Sequence, residues 1–302
     1  MFRQLTFTLL ILGFAMTAAT AKAKISIFAC EPEWGALAEE IGGDLVKVKN
    51  GTNAKQDAHF ISVRPSLIAM VRKADLVICT GADLEIGWLP TLLRQSGNSK
   101  IQPGTAGYLA AADYVRKLEV PTIIDRALGD IHPQGNPHII GDPRNVLIVA
   151  RKLAERLAKI DPANRATYEQ RLARFESRWL QAIAQWEAAA QPLIGLPIVV
   201  QHKTWVYLVE WLNMSVVSTL EPRPGIPPST SHLQAVLKDL GESNPKFILN
   251  AAYENDRASE WLSERTNIPE ITLPYTVGGS KQADDLFSLF DVTIAMLLEY
   301  AG

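Results

Sequence analysis

Residues 161–192 read DPANRATYEQRLARFESRWLQAIAQWEAAAQP. Asp161-Pro162 predicts a helix start, with Asp as the cap and Pro at the first helical position. From there Tyr168, Leu172, Phe175, Trp179, Ile183 and Trp186 recur at spacings of three or four, the period of one apolar helix face. The pattern predicts one helix from Pro162 to about Ala190, stopped by Pro192. Roughly 28 residues at 1.5 Å per residue span about 42 Å. That is enough to cross from one domain to another. The stretch reads as a rigid connector, and its apolar stripe as packing rather than a binding surface.

On the N-terminal side of the connector, short apolar runs alternate with helical patterns. Ile25 to Ala29 is a predicted strand, Trp34 to Ile41 a helix and Leu45 to Val48 a strand after the Gly42-Gly43 break. Pro65 to Arg72 is helical, and Asp75 to Cys79 is a third strand. Such alternation predicts a parallel sheet with crossover helices. Loops that bind ligands in such sheets follow the carboxyl ends of the strands, so Cys30 to Trp34, Asp57 to Ile61 and Gly81 to Glu85 share one rim.

The C-terminal side repeats the grammar. Strands are predicted at Pro197 to Gln201, Ser215 to Leu220, Phe247 to Asn250 and Ile271 to Leu273. Helices are predicted at Trp205 to Leu212, Ser231 to Leu240, Ala258 to Arg265 and Asp284 to Tyr300. The fold class is therefore α/β: two parallel-sheet lobes (22–160 and 192–302) joined by a linking helix (161–191), with the interlobe cleft as the natural binding site.

The first residues set the compartment. Arg3 precedes an apolar run from Leu5 to Met16, and small residues end at Ala19-Thr20-Ala21. This is the layout of a cleavable signal peptide at 1–21, too short to span a bilayer, and it implies a periplasmic protein. The hydrophobic content of 47% supports a full core, and a net charge of −2 without basic blocks argues against nucleic acid. Two cysteines, Cys30 and Cys79, are too few for a disulfide scaffold. If their strands are adjacent, both sulfurs lie at one sheet edge. A disulfide and two buried thiols fit that placement equally well.

Three of the five histidines stand where α/β lobes put ligands. His59 follows the second strand, His138 lies in a long loop late in the first lobe, and His202 follows the first strand of the second lobe. Imidazole is a strong zinc ligand, and three would make most of a tetrahedral site. They are far apart in sequence, so no local zinc motif is present, and three unrelated loop histidines fit the chemistry equally well. Gly278-Gly279 lacks the context of a dinucleotide loop and reads as a turn. His232 reads as a helix-start residue.

The surrounding residues add a resemblance. Asp57-Ala58-His59 followed by Arg64-Pro65-Ser66 resembles the "DPH…PS" stretch of the zinc and manganese solute-binding proteins of ABC transporters. Asp75-Leu76-Val77, Gly81-Ala82, Leu84-Glu85 and Trp88-Leu89 resemble the same family's "ADLV…G…LE.WL". Asn136-Pro137-His138 with Asp142-Pro143 resembles "DPHxWLDP". His202 with Trp205 and Tyr207 resembles "HxAFxY", with Lys203 and Thr204 unusual; Pro228-Ser229 and the helix after it also match. The resemblance implies two lobes, a linking helix and one Zn²⁺ held in the cleft by His59, His138 and His202. It also implies delivery to a membrane permease with its ATPase, by a monomer; Mn²⁺ is the alternative cargo.

Two departures concern the fourth ligand. The resemblance implies a carboxylate often supplied by a Glu, where the sequence has Ala251, or by an Asp after the last strand, where it reads Leu273-Pro274-Tyr275. Water, Asp284, Asp285 or Glu254 remain open as the fourth ligand, though each acid reads more simply as a helix-start residue. His132, in Asp130-Ile131-His132-Pro133, is a reduced acquisition loop or a plain loop residue. The competing functions are a zinc hydrolase with an open three-histidine site and a metal-buffering or adhesive protein. The first lacks an H-E-x-x-H pattern and so a poised base.

Overall fold

A computed structural model describes residues 23–301 apart from 126–128, 130 and 242; the predicted signal peptide, with its expected cleavage after Ala21, lies outside these residues. The first lobe alternates as the pattern predicts: β1 (Ile25–Ala29), α1 (Pro32–Gly42), β2 (Val46–Asn50), α2 (Pro65–Arg72) and β3 (Leu76–Cys79). Proline opens both helices, where its missing N–H would have had no partner. The pattern assigns no element between Cys79 and Asp161. The structure places α3 (Leu89–Ser96), β4 (Tyr108–Ala110) and α4 (Pro143–Ile160) there. All strands pair parallel in the order β2-β1-β3-β4.

The connector is α5 (Arg165–Ala189), 25 residues and about 37 Å long. It starts later than predicted because Pro162–Asn164 form a 3₁₀ turn. Asp161 does not cap it; its Oδ2 accepts from the Tyr168 hydroxyl at 3.2 Å instead. The predicted stripe is buried at Tyr168, Phe175, Trp179, Ile183 and Trp186.

The second lobe comprises β5 (Pro197–Val200), α6 (Val206–Leu212), β6 (Ser215–Thr219), α7 (Thr230–Asp239), β7 (Ile248–Ala251), α8 (Arg257–Thr266), β8 (Glu270–Leu273) and α9 (Leu286–Glu299). Its parallel order, β6-β5-β7-β8, repeats that of the first sheet. In each sheet the chain leaves the first strand to one side and returns to the other. That reversal makes a crevice beyond the strand ends, and ligands bind in such crevices.

Aromatic packing ties α5 to both lobes. Trp179 Nε1 donates to Pro143 O at 2.8 Å in the first lobe, and its ring packs edge-on against Phe287 and Phe290 of α9 in the second. Trp186 Nε1 donates to Asp291 Oδ1 at 2.7 Å. One continuous apolar cluster therefore runs from Ile25 through α4 and α5 to Leu297, with a separate cluster on the outer face of each sheet. Truncating Trp179 to alanine would cost about 3–5 kcal/mol by the usual penalty for a large buried aromatic.

At the rim of the first sheet, Cys30 and Cys79 form a disulfide across the ends of β1 and β3, with Cα atoms 4.7 Å apart. This resolves the two alternatives that the sequence leaves open.

Candidate metal centre

His59, His138 and His202 converge at the mouth of the cleft. Their ring centroids are 5.5 Å (59–138), 5.5 Å (138–202) and 6.2 Å (59–202) apart. Each side chain is aimed by what its Nδ1 meets. His59 follows β2 on a loop pinned by Trp88 Nε1, which donates to Ala58 O at 2.8 Å. Asp57 Oδ1 then lies 2.7 Å from His59 Nδ1 and accepts the His59 backbone N–H at 2.9 Å. His138 sits just before the turn into α4, its N–H donating to Asn136 Oδ1 at 2.9 Å, and its Nδ1 lies 2.9 Å from the Tyr275 hydroxyl. His202 follows β5, and its Nδ1 lies 2.6 Å from Glu221 Oε2, at the end of β6.

The electrostatics follow from these partners. Burial pushes His138 well below its ordinary value, with the neighbouring imidazoles adding to the effect, so it is neutral. Its Nε2 is buried and has no hydrogen-bond partner, an orphan that a cation would satisfy. Burial also works against a charged His202, but the bond to Glu221 and the charges of Glu221, Glu254 and Asp57 outweigh it and raise the value. For Asp57 burial alone would raise the carboxyl, and the hydrogen bonds from His59 reverse the sign. Three imidazoles with Nδ1 occupied by a carboxylate or a phenol present Nε2 outward, the usual arrangement behind a histidine metal site.

The rings frame the site without closing on it. Among the described residues, the set of three metal-ligating side chains whose donor atoms lie within 4.8 Å of one another is Cys30, Cys79 and Glu85, and its sulfurs are already joined in the disulfide. Two cavities flank the histidines. One, of ≈ 420 Å³, is lined by His132, His138, His202, Lys203 and Ile123. The other, of ≈ 570 Å³, reaches Asp57, Glu221, Tyr253, Glu254 and Arg257.

The acids considered for the fourth position are engaged elsewhere. Glu254 accepts from Thr204 Oγ1 at 2.7 Å and from the Ala251 N–H at 2.8 Å, and burial pushes it up to about 7. Asp285 accepts from the Ser288 N–H at 2.7 Å in a capping box that starts α9, and Asp284 Oδ1 accepts from Ser288 Oγ at 3.1 Å. Both are exposed helix-start acids. The Tyr275 hydroxyl lies against Nδ1 of His138. His232 lies in the first turn of α7, its N–H donating to the Ser229 cap. Gly278, at φ 85°, makes the predicted turn.

Two features were not evident from sequence. His132 Nε2 lies 3.1 Å from His59 Nε2, which places this loop histidine inside the centre. Behind it, Glu31, Glu33 and Glu85 are all buried. Glu85 accepts from the Thr80 and Gly81 N–H groups at 2.8 and 3.1 Å, and Glu31 from Thr80 Oγ1 at 3.1 Å. Glu33 accepts from Thr276 Oγ1 across the cleft. A turn with positive φ at Gly81, Ala82 (50°) and Asp83 (66°) folds Glu85 back onto those amides. Burial pushes Glu31 well up, with the adjacent Glu85 and Glu33 carboxyls adding to the shift, and pushes Glu33 and Glu85 to about 7. At neutral pH this group holds protons. The spacing of the glutamates in Cys30-Glu31-Pro32-Glu33-Trp34 was visible, but not their burial.

Known proteins resemble this chain in sequence and in fold. The sequence model of the periplasmic zinc-uptake complex component A, ZnuA, matches residues 27–299. The metal ABC transporter substrate-binding lipoprotein ScbA of Streptococcus cristatus is 21% identical over 93% of this chain and 90% of that protein. The manganese ABC transporter substrate-binding lipoprotein PsaA of Streptococcus pneumoniae is 21% identical over 94% and 90%. A crystal structure of ZnuA superposes with a TM-score of 0.76 at 23% identity, covering 92% of this chain and all of that one. A cadmium-bound periplasmic metal-binding protein from Candidatus Liberibacter asiaticus gives a TM-score of 0.76 at 19% identity, with the same coverage. At these identities the structures establish the fold.

Proposed function

Because the chain belongs to the ZnuA family, whose members are metal-binding receptors of ABC transporters rather than enzymes, we propose that it captures one Zn²⁺ between its lobes through Nε2 of His59, His138 and His202. On this reading the ion is cargo: the exported protein hands it to a membrane permease driven by an ATPase, and acts as a monomer. The observation that carries the assignment is the buried, unpartnered Nε2 of His138, facing two imidazoles whose Nδ1 atoms are held by Asp57 and Glu221.

Relatives are named for manganese as well as for zinc, and donor chemistry favours zinc here. Manganese prefers oxygen-rich octahedral sites, whereas zinc accepts imidazoles in a tetrahedron. The carboxylates of this centre stand behind the imidazoles, and Glu254 has both oxygens engaged. Chelator competition on the purified protein tests the reading. One zinc should bind tightly, and each of His59→Ala, His138→Ala and His202→Ala should weaken it sharply. A single variant with unchanged affinity overturns that residue's assignment. Growth of a deletion strain rescued by manganese alone overturns the choice of zinc.

A further inference from the structure

His59 and His132 face each other through their Nε2 atoms at 3.1 Å, with ring centroids 5.1 Å apart. Two nitrogens bound to one tetrahedral zinc at 2.0–2.1 Å stand about 3.3 Å apart. The metal-free pair is thus already at the separation of two ligands on one ion. We propose that His132 is the fourth zinc ligand, completing an all-imidazole tetrahedron with His59, His138 and His202. The proposal rests on the three-histidine reading above and adds to it the closing donor.

The loop is built to hold that donor. The Gly135 N–H donates to His132 O at 2.9 Å, closing a turn with Pro133 at its second position, where the ring presets φ. Gly135, at φ 106°, then packs against Leu118 O, and the Asn136 N–H donates to that same oxygen at 2.8 Å. The segment that aims His132 is therefore the one that delivers His138. A side chain at Gly129 would strike Pro224 O at 2.5 Å, so the backbone at Gly129 lies close against the second lobe.

The proton accounting follows from Asp57. A carboxylate on His59 Nδ1 accepts, so that nitrogen carries a proton and Nε2 is the ring atom left to bind a metal. Zinc would replace the 3.1 Å contact with His132, each ring binding the ion through an unprotonated Nε2. A tetrahedron closed by four nitrogens also leaves no position for an activated water, and no oxygen donor that manganese would prefer.

The test counts imidazoles. X-ray absorption on the zinc-loaded protein should fit four histidine nitrogens, falling to three with an added oxygen in His132→Ala. The cobalt(II)-loaded protein should show the intense visible bands of a tetrahedral site, altered in shape and intensity by the same substitution. Zinc affinity should fall by at least about 10-fold, the lower bound for losing even an outer partner of a ligand, while one equivalent still binds. His232→Ala, remote in α7, should change none of these. Three nitrogens in the unsubstituted protein, or an unchanged cobalt spectrum with unchanged affinity in His132→Ala, overturns the proposal and leaves the three-histidine reading standing. Failure of the unsubstituted protein to bind zinc would instead overturn that reading.

Discussion

The two sheets share one strand order, so the segments leaving β1 and β5 occupy corresponding places. Counted from the strand ends, Ala29-Cys30-Glu31-Pro32-Glu33-Trp34 runs beside Val200-Gln201-His202-Lys203-Thr204-Trp205. Both end on a buried tryptophan. Between them the chemistry diverges. The first lobe places at Glu31 a carboxyl withdrawn from water and tied to Thr80; the second places at the same position an imidazole that faces the cleft. The first rim is closed by a disulfide and by carboxyls that hold protons, whereas the second is held by side-chain hydrogen bonds around His202. One rim is crosslinked covalently, and the other rests on hydrogen bonds.

The sharpest way to break this contrast is to open the first rim. Replacing both Cys30 and Cys79 with alanine removes a crosslink across a sequence separation of 49, and should cost up to about 4 kcal/mol of stability. Thermal unfolding of the metal-free protein reads the loss directly. Zinc affinity measured well below the melt should stay within a few-fold, because His59 is held by Asp57 and Trp88 rather than by the sulfurs. An unchanged melting temperature would show that the rim is closed without the bond.

The complementary change strikes the second rim. Glu221→Gln removes the carboxylate behind His202 and should weaken zinc by about 10- to 100-fold, the range for such outer partners. Asp57→Asn gives the matching value for the first lobe. If the contrast holds, Glu221→Gln alters the unfolding temperature much less than the cysteine pair does. Tyr275→Phe deletes a neutral hydrogen bond to His138 worth about 1 kcal/mol, and should weaken zinc by roughly 5-fold.

The smallest effect is a change of slope. Glu33 and Glu85 are raised from an ordinary 4.5 to about 7, and Glu31 is raised well above its ordinary value too. Groups raised on folding contribute stability that is fully present below about 4.5 and is lost as pH climbs through about 7. His138, depressed by burial, acts in the opposite sense, since the unfolded chain protonates it below its ordinary 6.5. The difference between the unsubstituted protein and Glu85→Gln isolates the carboxyls. In metal-free protein, Glu85→Gln should lose less stability between pH 5 and pH 8, measured by denaturant midpoints. An identical pH profile would remove Glu85 from the proton-holding group.

The strands and the connector were legible because their signals are local: buried parallel strands are apolar runs, and α5 repeats its aromatics every three or four residues. The segment between Cys79 and Asp161 was not legible. Helix α4 carries the start signal Asp142-Pro143, but those residues coincide with the second histidine motif, and β4 is only three residues long. Three of the four clustered histidines could be placed through strand ends and motif order. His132 could not, because the turn that aims it acts through tertiary contacts with Leu118. The burial of Glu31 and Glu85 was hidden for the same reason: charged residues on a rim look solvated until a strained turn folds one back.

The apolar cluster that runs unbroken from Ile25 to Leu297 should make the two lobes melt as one unit, with coincident transitions by different probes. Occupancy at the cleft is then felt everywhere. A ligand at one hundred times its dissociation constant adds about 2.7 kcal/mol to the unfolding free energy. Backbone amides in β2 and in α9, at opposite ends of the chain, that exchange only through global unfolding should slow together by roughly a hundredfold when the ion is bound. The cargo is in this sense a structural member for as long as it is carried, and its release returns the receptor to a form that proteases can sample more often.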